Sequence, residues 1–332
     1  MSSFLIARLA VSWSLVSASA LLAASAVLPL TAQADTFPSK PITLVVAYPP
    51  GGSTDLTGRT LGAELSRKLG VPVIIENVGG AGGAIGAQKV ANAAPDGYTL
   101  LAGASNEIAI SRLVSSAVKY DLKNFTPIGL IAEQPMVLVA ATRTGVKTID
   151  QFMKLVQANP GKYSYGSSGV GTGLHLAGEM VKDQGGLFMT HIPYRGVAPL
   201  ANDLLGNNID FGVFVLSSGL PHIRSGKVVA LGTTEAKRSP MTPDIPALAE
   251  NPKLKGIDIN IWFALMGPAN MPEPVLAKLK QALNESLQMP DLRKKLEDSG
   301  STVSAPNVDM PKFLAQETAK YKRIVEFAKI KE

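Results

Sequence analysis

Residues 42–55 decide the fold class: Ile42-Thr43-Leu44-Val45-Val46-Ala47-Tyr48, then Pro49-Pro50-Gly51-Gly52, then Ser53-Thr54-Asp55. The first seven residues are mostly apolar and β-branched, the composition of a buried strand. The Pro-Pro-Gly-Gly turn ends it. Ser53 opens a run in which Leu61, Leu65 and Leu69 recur every fourth residue, so one helical face is apolar. Arg67 and Lys68 occupy the last turn and Gly70 stops it, the chemistry of a helix C-terminus. The segment is therefore a strand, a glycine turn and a helix in order.

The same unit recurs outward from this point. Residues 71–78 predict a strand, residues 80–94 a small-residue helix ended by Pro95-Asp96-Gly97, and residues 99–103 a third strand. A second series follows the long apolar stretch 128–141. Thr148 caps a helix with Ile149, Phe152 and Val156 on its apolar face, ended by Pro160-Gly161. A strand at 163–167, a helix from Thr172, a strand at 190–194, a helix from Val197 and strands at 209–215 and 228–233 complete it. The tail is helical, with Leu276, Leu279, Leu283 and Leu287 on one face and a last helix over 311–330. Strands alternating with helices predict an α/β protein with largely parallel sheets. Two series with helices beyond the second imply that the chain builds one lobe, crosses, builds another and crosses back near residues 257–266. Paired crossings make a hinge. The expected division is a leader at 1–34, lobe one at 35–138 plus 262–332, and lobe two at 139–261.

The N-terminus sets the compartment. Arg8 precedes an apolar run from Leu9 to Leu30, no acid precedes Asp35, and Ala32-Gln33-Ala34 is a small-x-small cleavage pattern. The run is long enough to span a bilayer, but its many Ser and Ala residues and Pro29 favour cleavage after Ala34. A lipid anchor is excluded because the chain has no cysteine, which also removes disulfides, thiolate metal sites and cysteine nucleophiles. The formal net charge of +6 suits anionic ligands, yet no basic cluster is interleaved with aromatics, so nucleic acid is not a partner.

Two loops join a strand, small polar residues and a helix start: Tyr48, Gly52, Ser53, Thr54 and Asp55 in the first series, and Ser167, Ser168, Gly171, Thr172 and His175 in the second. Helix N-termini offer unpaired N–H groups and the positive dipole end, hydroxyls add donors, and glycines allow close approach. Together these groups bind carboxylate or phosphate oxygens. Each loop alone is equally explained as an N-cap and a tight turn; one per series points to a shared cleft. Asp55 would repel a carboxylate, so it caps its helix or meets a ligand donor. A third cluster, residues 79–86, lacks the dinucleotide spacing and reads as helix packing against the sheet. His175, His191 and His222 have no metal-ligand spacing. Residues 166–169, Gly-Ser-Ser-Gly, leave a serine amidohydrolase using Ser167 or Ser168 as the alternative function, although Val170 breaks the nucleophile-elbow pattern.

With these residues in view, the chain resembles the Bug family, the TctC-like substrate-binding receptors of tripartite tricarboxylate transporters. The motifs are Tyr48–Asp55, Val73-Ile74-Ile75-Glu76-Asn77, Ala94-Pro95-Asp96-Gly97-Tyr98, residues 167–178, His191-Ile192-Pro193-Tyr194-Arg195-Gly196, residues 220–226, Lys237-Arg238-Ser239-Pro240 and Pro243-Asp244-Ile245-Pro246. The resemblance implies a two-lobed periplasmic binding protein of the Venus-flytrap, type II-like kind, each lobe a mostly parallel sheet flanked by helices. It implies a monomeric binding protein and not an enzyme, without cofactor or metal. Such a protein delivers a small organic carboxylate to TctA/TctB-like inner-membrane subunits or a sensor. It carries ligand-binding roles onto the two loops, Asn106 and Tyr194. Members often have a polar pair where this chain has Phe214-Val215, which implies a more apolar pocket wall suited to an aromatic or aliphatic acid.

Overall fold

β1 (Ile42–Val46) enters the core with all its residues but Thr43 buried, and α1 (Ser53–Leu69) leaves it through the expected glycine turn. Gly70 caps α1 in the left-handed region at φ 72°, its N–H donating to the Ser66 carbonyl. Leu61 and Leu65 are fully buried; each such side chain contributes about 1.5–3 kcal/mol. The computed structural model describes residues 37–239, 241–328 and 330. The expected leader over residues 1–34 lies outside the described residues.

β2 (Val73–Asn77) and β3 (Thr99–Ala104) flank β1 in parallel, with α2 (Ala84–Ala91) crossing between them. A π-helical turn, Asn106–Ile110, and the short α3 (Ser111–Val114) follow β3. The long apolar stretch 128–141 belongs to one strand, β4 (Phe125–Ala141). Its two prolines are accommodated where pairing breaks: the register against its partner shifts beside Pro127, and Pro135 is its last residue in the first sheet.

The second series contains α4 (Ile149–Gln157), β5 (Ser164–Ser167), α5 (Gly173–Gly185), β6 (Thr190–Pro193), α6 (Val197–Leu205), β7 (Phe211–Val215), α7 (Leu216–Arg224) and β8 (Val228–Thr233). The chain returns through β9 (Asn260–Pro268) and ends in α8 (Glu273–Leu287), α9 (Pro290–Asp298), β10 (Thr302–Val303) and α10 (Met310–Ala328). Strand order is β2-β1-β3-β9-β4-β7-β5-β6, with β8 and β10 also on β4. β4 belongs to both sheets: up to Pro135 it pairs with β9, and from Met136 with β7 and β8. The parallel pairs are those within each β–α series; every antiparallel pair involves β4 or β9, so the crossing strands make both sheets mixed.

Each sheet has its own core. In the second, Val137, Val139, Leu200, Leu204, Phe214 and Leu220 pack together. Phe214 therefore faces this core, and only Val215 of the pair turns toward a cavity. On the return crossing, Trp262 is 1% exposed and donates its indole N–H to Glu317 of α10 at 3.0 Å, while Tyr321 donates to the Asn260 carbonyl at 2.6 Å. The last helix is thereby fastened to the strand that rejoins the two sheets.

Candidate functional site

The loop after β1 is held by Asp55. Its carboxylate accepts from Gly51 N–H at 3.0 Å, Arg59 Nε at 2.9 Å and Asn77 Nδ2 at 2.9 Å. Asn77 also donates to the Tyr48 carbonyl, so strand, turn and helix share one clamp. Burial raises the carboxyl's pKa, but the bonds from Arg59, Gly51 and Asn77 outweigh it and hold the group below the ordinary aspartate range. With Asp55 committed to the clamp, the first-turn N–H groups of Ser53 and Thr54 are left without intrahelical acceptors. Asp55→Asn removes the charge from these bonds and should lower stability by about 1–2 kcal/mol near neutral pH. A group with a depressed folded pKa stabilises above its unfolded value and loses that contribution as pH falls through the folded one. Chemical denaturation at descending pH should therefore show the wild-type advantage shrinking below pH about 4.

The second loop is held by its own groups. Thr172 caps α5: its hydroxyl donates to the Gly169 carbonyl at 2.9 Å and accepts from His175 N–H at 3.4 Å. Gly171 N–H donates to His175 Nδ1 at 3.1 Å, which leaves the other ring nitrogen to carry the neutral imidazole's proton. His175 stacks on His191 with centroids 3.9 Å apart and planes 9° from parallel. Burial drives both pKa values down, to about 4 and about 3. Ser167 is fully buried, with Oγ 2.7 Å from His191 Nε2 and 3.1 Å from the Gly169 carbonyl it donates to. When the Ser167 proton goes to the Gly169 carbonyl, the 2.7 Å contact is completed by the His191 tautomer that carries its proton on Nε2. Ser168 Oγ donates to Thr172. The serines shape a turn.

The loops meet at two adjoining cavities. An inner chamber of about 50 Å³ lies between Gly52, Ser53 and Thr54 on one side and Gly196, Val197 and Ala198 on the other, with Tyr48, Asn106 and Ser168 also lining it. An outer cleft of about 1160 Å³ takes in Tyr48, Ser168, Gly171, Thr172 and Tyr194 together with the glycines of residues 79–83. Of the residues expected at the site, Asp55, Ser167 and His175 line neither; they hold the loops that do. Tyr194 turns its hydroxyl to Asp203 at 2.7 Å. Asn106 joins the halves: its Nδ2 donates to Tyr48 Oη at 3.0 Å, and its Oδ1 accepts from Gly173 N–H, at the start of α5, at 2.7 Å.

Sequence reasoning did not single out the start of α6 or Arg195. Gly196, at φ 105°, begins α6 as its N-cap and brings a second set of first-turn N–H groups to the chamber. Arg195 is exposed, lines both cavities and makes no ion pair or side-chain hydrogen bond among the described residues. Its guanidinium is a positive charge beside both cavities. A glycine directly before a helical run was the available signal in the sequence. The glycine cluster divides: a Cβ on Gly86 would lie 2.8 Å from the Ala47 Cα, the close packing expected, while Gly80, Gly82 and Gly83 line the outer cleft.

Residues 57–330 match the family described as the tripartite tricarboxylate transporter family receptor, TctC. The chain is similar to the periplasmic binding protein BugD, with 32% identity and a TM-score of 0.83 over 89% of this chain and 99% of that one. A protein of R. palustris solved with adipate is 30% identical with a TM-score of 0.85, covering 89% and 99% of the two chains. MatC from Rhodopseudomonas palustris, solved with bound malate, is 30% identical with a TM-score of 0.81, covering 87% and 100%. The two mixed sheets flanked by helices are thus those of a two-lobed α/β binding-protein fold.

Proposed function

The chain belongs to the receptor family of the tripartite tricarboxylate transporters, and from that premise we propose that its inner chamber holds a carboxylate between the first turns of α1 and α6. It is a periplasmic solute-binding protein that captures a small organic acid for a membrane transporter, and its family and fold are those of binders rather than catalysts. The observation that carries the ligand reading is the convergence of two helix N-termini on one chamber rimmed by Arg195. Gly52, Ser53, Thr54, Tyr48, Asn106 and Ser168 line it, and Gly171, Thr172 and Tyr194 line the cleft through which the rest of a longer acid extends. Asp55, Ser167 and His175 set loop shape. The bound molecules of two relatives make adipate and malate the first candidates.

Residues 35–138 with 262–332 form lobe one in this reading, and residues 139–261 lobe two. The change of sheet partner within β4, between Pro135 and Met136, supports a hinge there. The mature protein begins at Asp35 after cleavage at Ala34, acts as a monomer, and hands its ligand to TctA/TctB-like subunits or a sensor. The test is thermal unfolding with adipate, malate and their dimethyl esters. Free acids should raise the midpoint without being consumed, and the esters should not. Equal stabilisation by acid and ester removes the carboxylate from the mechanism, and turnover of either removes the binding-protein reading.

A further inference from the structure

We infer that Glu107 is a positioning residue whose proton completes a hydrogen-bond chain from the glycine loop to the opposite lobe, so that ligand capture takes up a proton. The inference rests on the reading of the chamber as the ligand site.

Glu107 lies in the π-helical turn after β3 and is fully buried. Its Oε1 accepts from Ala104 N–H at 2.5 Å, and its Oε2 lies 2.9 Å from Tyr48 Oη. The Tyr48 hydroxyl has two further neighbours, the Gly82 carbonyl at 2.7 Å and Asn106 Nδ2 at 3.0 Å. These three contacts need three hydrogens. Asn106 supplies one and the phenol one. With Glu107 ionised, the carboxylate and the Gly82 carbonyl compete for the single phenol proton, and one oxygen pair is left facing without a hydrogen. A proton on Oε2 resolves this: Glu107 donates to Tyr48, Tyr48 donates to Gly82, and Asn106 donates to Tyr48. Asn106 is then held with Oδ1 toward Gly173 N–H across the cleft. The glycine loop is built to sit on the pair, since a Cβ on Gly83 would lie 2.9 Å from both Glu107 Oε2 and Tyr48 Oη.

The surroundings favour the neutral acid. Burial raises the Glu107 pKa to about 7, against the lowering effect of its hydrogen bonds. The titratable groups facing it are Tyr48 and Tyr120, both pushed upward by burial and so neutral; Tyr120 donates to the Glu107 carbonyl at 2.6 Å. On α10, which packs against the same turn, Tyr321 is likewise neutral and Glu317 is bonded to Trp262. No lysine or arginine pairs with Glu107 among the described residues.

The test compares wild type with Glu107→Gln, whose amide can donate permanently to Tyr48 while its oxygen still accepts from Ala104. Without ligand, melting temperature is followed from pH 4.5 to 8. A group with a raised folded pKa stabilises fully below its unfolded value, and that contribution is lost as pH rises to the folded one. Wild type should therefore lose stability relative to Glu107→Gln across pH 4.5 to about 7. The opposite slope from His175 and His191 is common to both proteins and cancels. With adipate or malate, wild-type Kd should rise on the order of tenfold between pH 6 and 8.5. The variant should match wild type at pH 6 and stay flat. The inference is overturned if the two melting profiles run parallel, if wild-type affinity is flat, or if the variant keeps the pH dependence. Failure of both acids to bind either protein counts against the assigned ligand, and the ligand-free profiles then decide the role of Glu107.

Discussion

Gly171→Ala will weaken ligand capture by about ten- to a hundredfold while leaving a folded protein. Gly171 sits in the loop before α5 at φ +67°, and a Cβ there would drive into Cγ2 of Val114, at the end of α3. In the proposed division the loop belongs to lobe two and α3 to lobe one, so this contact would form only when the lobes are together. Overpacking of this kind costs about 1–3 kcal/mol, which is up to about a hundredfold in affinity if, as the proposed hinge requires, it is felt only on closure. The positive φ costs a non-glycine residue about 1–2 kcal/mol more. That strain is present open or closed, so it lowers the melting temperature and leaves affinity alone. The two effects separate in one experiment. Val114→Ala removes the obstructing methyls, and the double variant should recover most of the affinity but none of the stability. Calorimetry with whichever of adipate and malate the wild type captures reads the cycle. If the double variant binds as weakly as Gly171→Ala, the loop's strain and not its fit against Val114 is what matters.

The same glycine illustrates what the sequence discloses and what it withholds. The loop around Gly171 was legible as a strand-to-helix turn because Thr172 caps α5 locally, with bonds to Gly169 and His175 that lie within one turn of chain. The first loop was legible for the same reason, through the periodicity of α1 and its Gly70 stop. Local hydrogen bonds and helical periods are written in neighbouring residues. The partners that assign roles are distant in sequence. Asp55 read as a cap or a ligand contact, and its carboxylate instead clamps Gly51, Arg59 and Asn77, which come together only when β2 pairs with β1. Thr172 read as a hydroxyl facing the cleft, and its proton goes to Gly169. β4 carries Pro127 and Pro135, which are tolerated because pairing shifts beside one and changes sheet after the other. The π-helical turn carrying Asn106 and Glu107 has no period to betray it, and such turns concentrate at functional sites.

Arg195→Met will weaken capture of the same acid by roughly ten- to thirtyfold at low salt, and most of that loss will disappear as salt rises. Arg195 lines both cavities beside the N-terminus of α6 and has no partner among the described residues to neutralise it. Methionine keeps most of the apolar stem, so packing beside the chamber changes little. A hydrogen bond to a charged group is worth about 1.5–3 kcal/mol, and exposure of the guanidinium places this one near the lower end. An exposed ion pair is weakened by added salt even at contact, and its longer-range attraction is screened beyond about 8 Å at physiological ionic strength. Wild-type affinity should therefore fall with added salt while the variant's stays nearly level, so that the two curves approach. Arg195→Lys discriminates further: it restores a point charge and the salt slope, but not the planar fork that grips both carboxylate oxygens. Thr172→Val supplies the contrast, because its hydroxyl is already spent on Gly169 and its loss should reach stability before affinity. If Arg195→Met binds as wild type does at every ionic strength, the helix N-termini alone hold the anion, and the arginine faces solvent in the ligand-bound form as well.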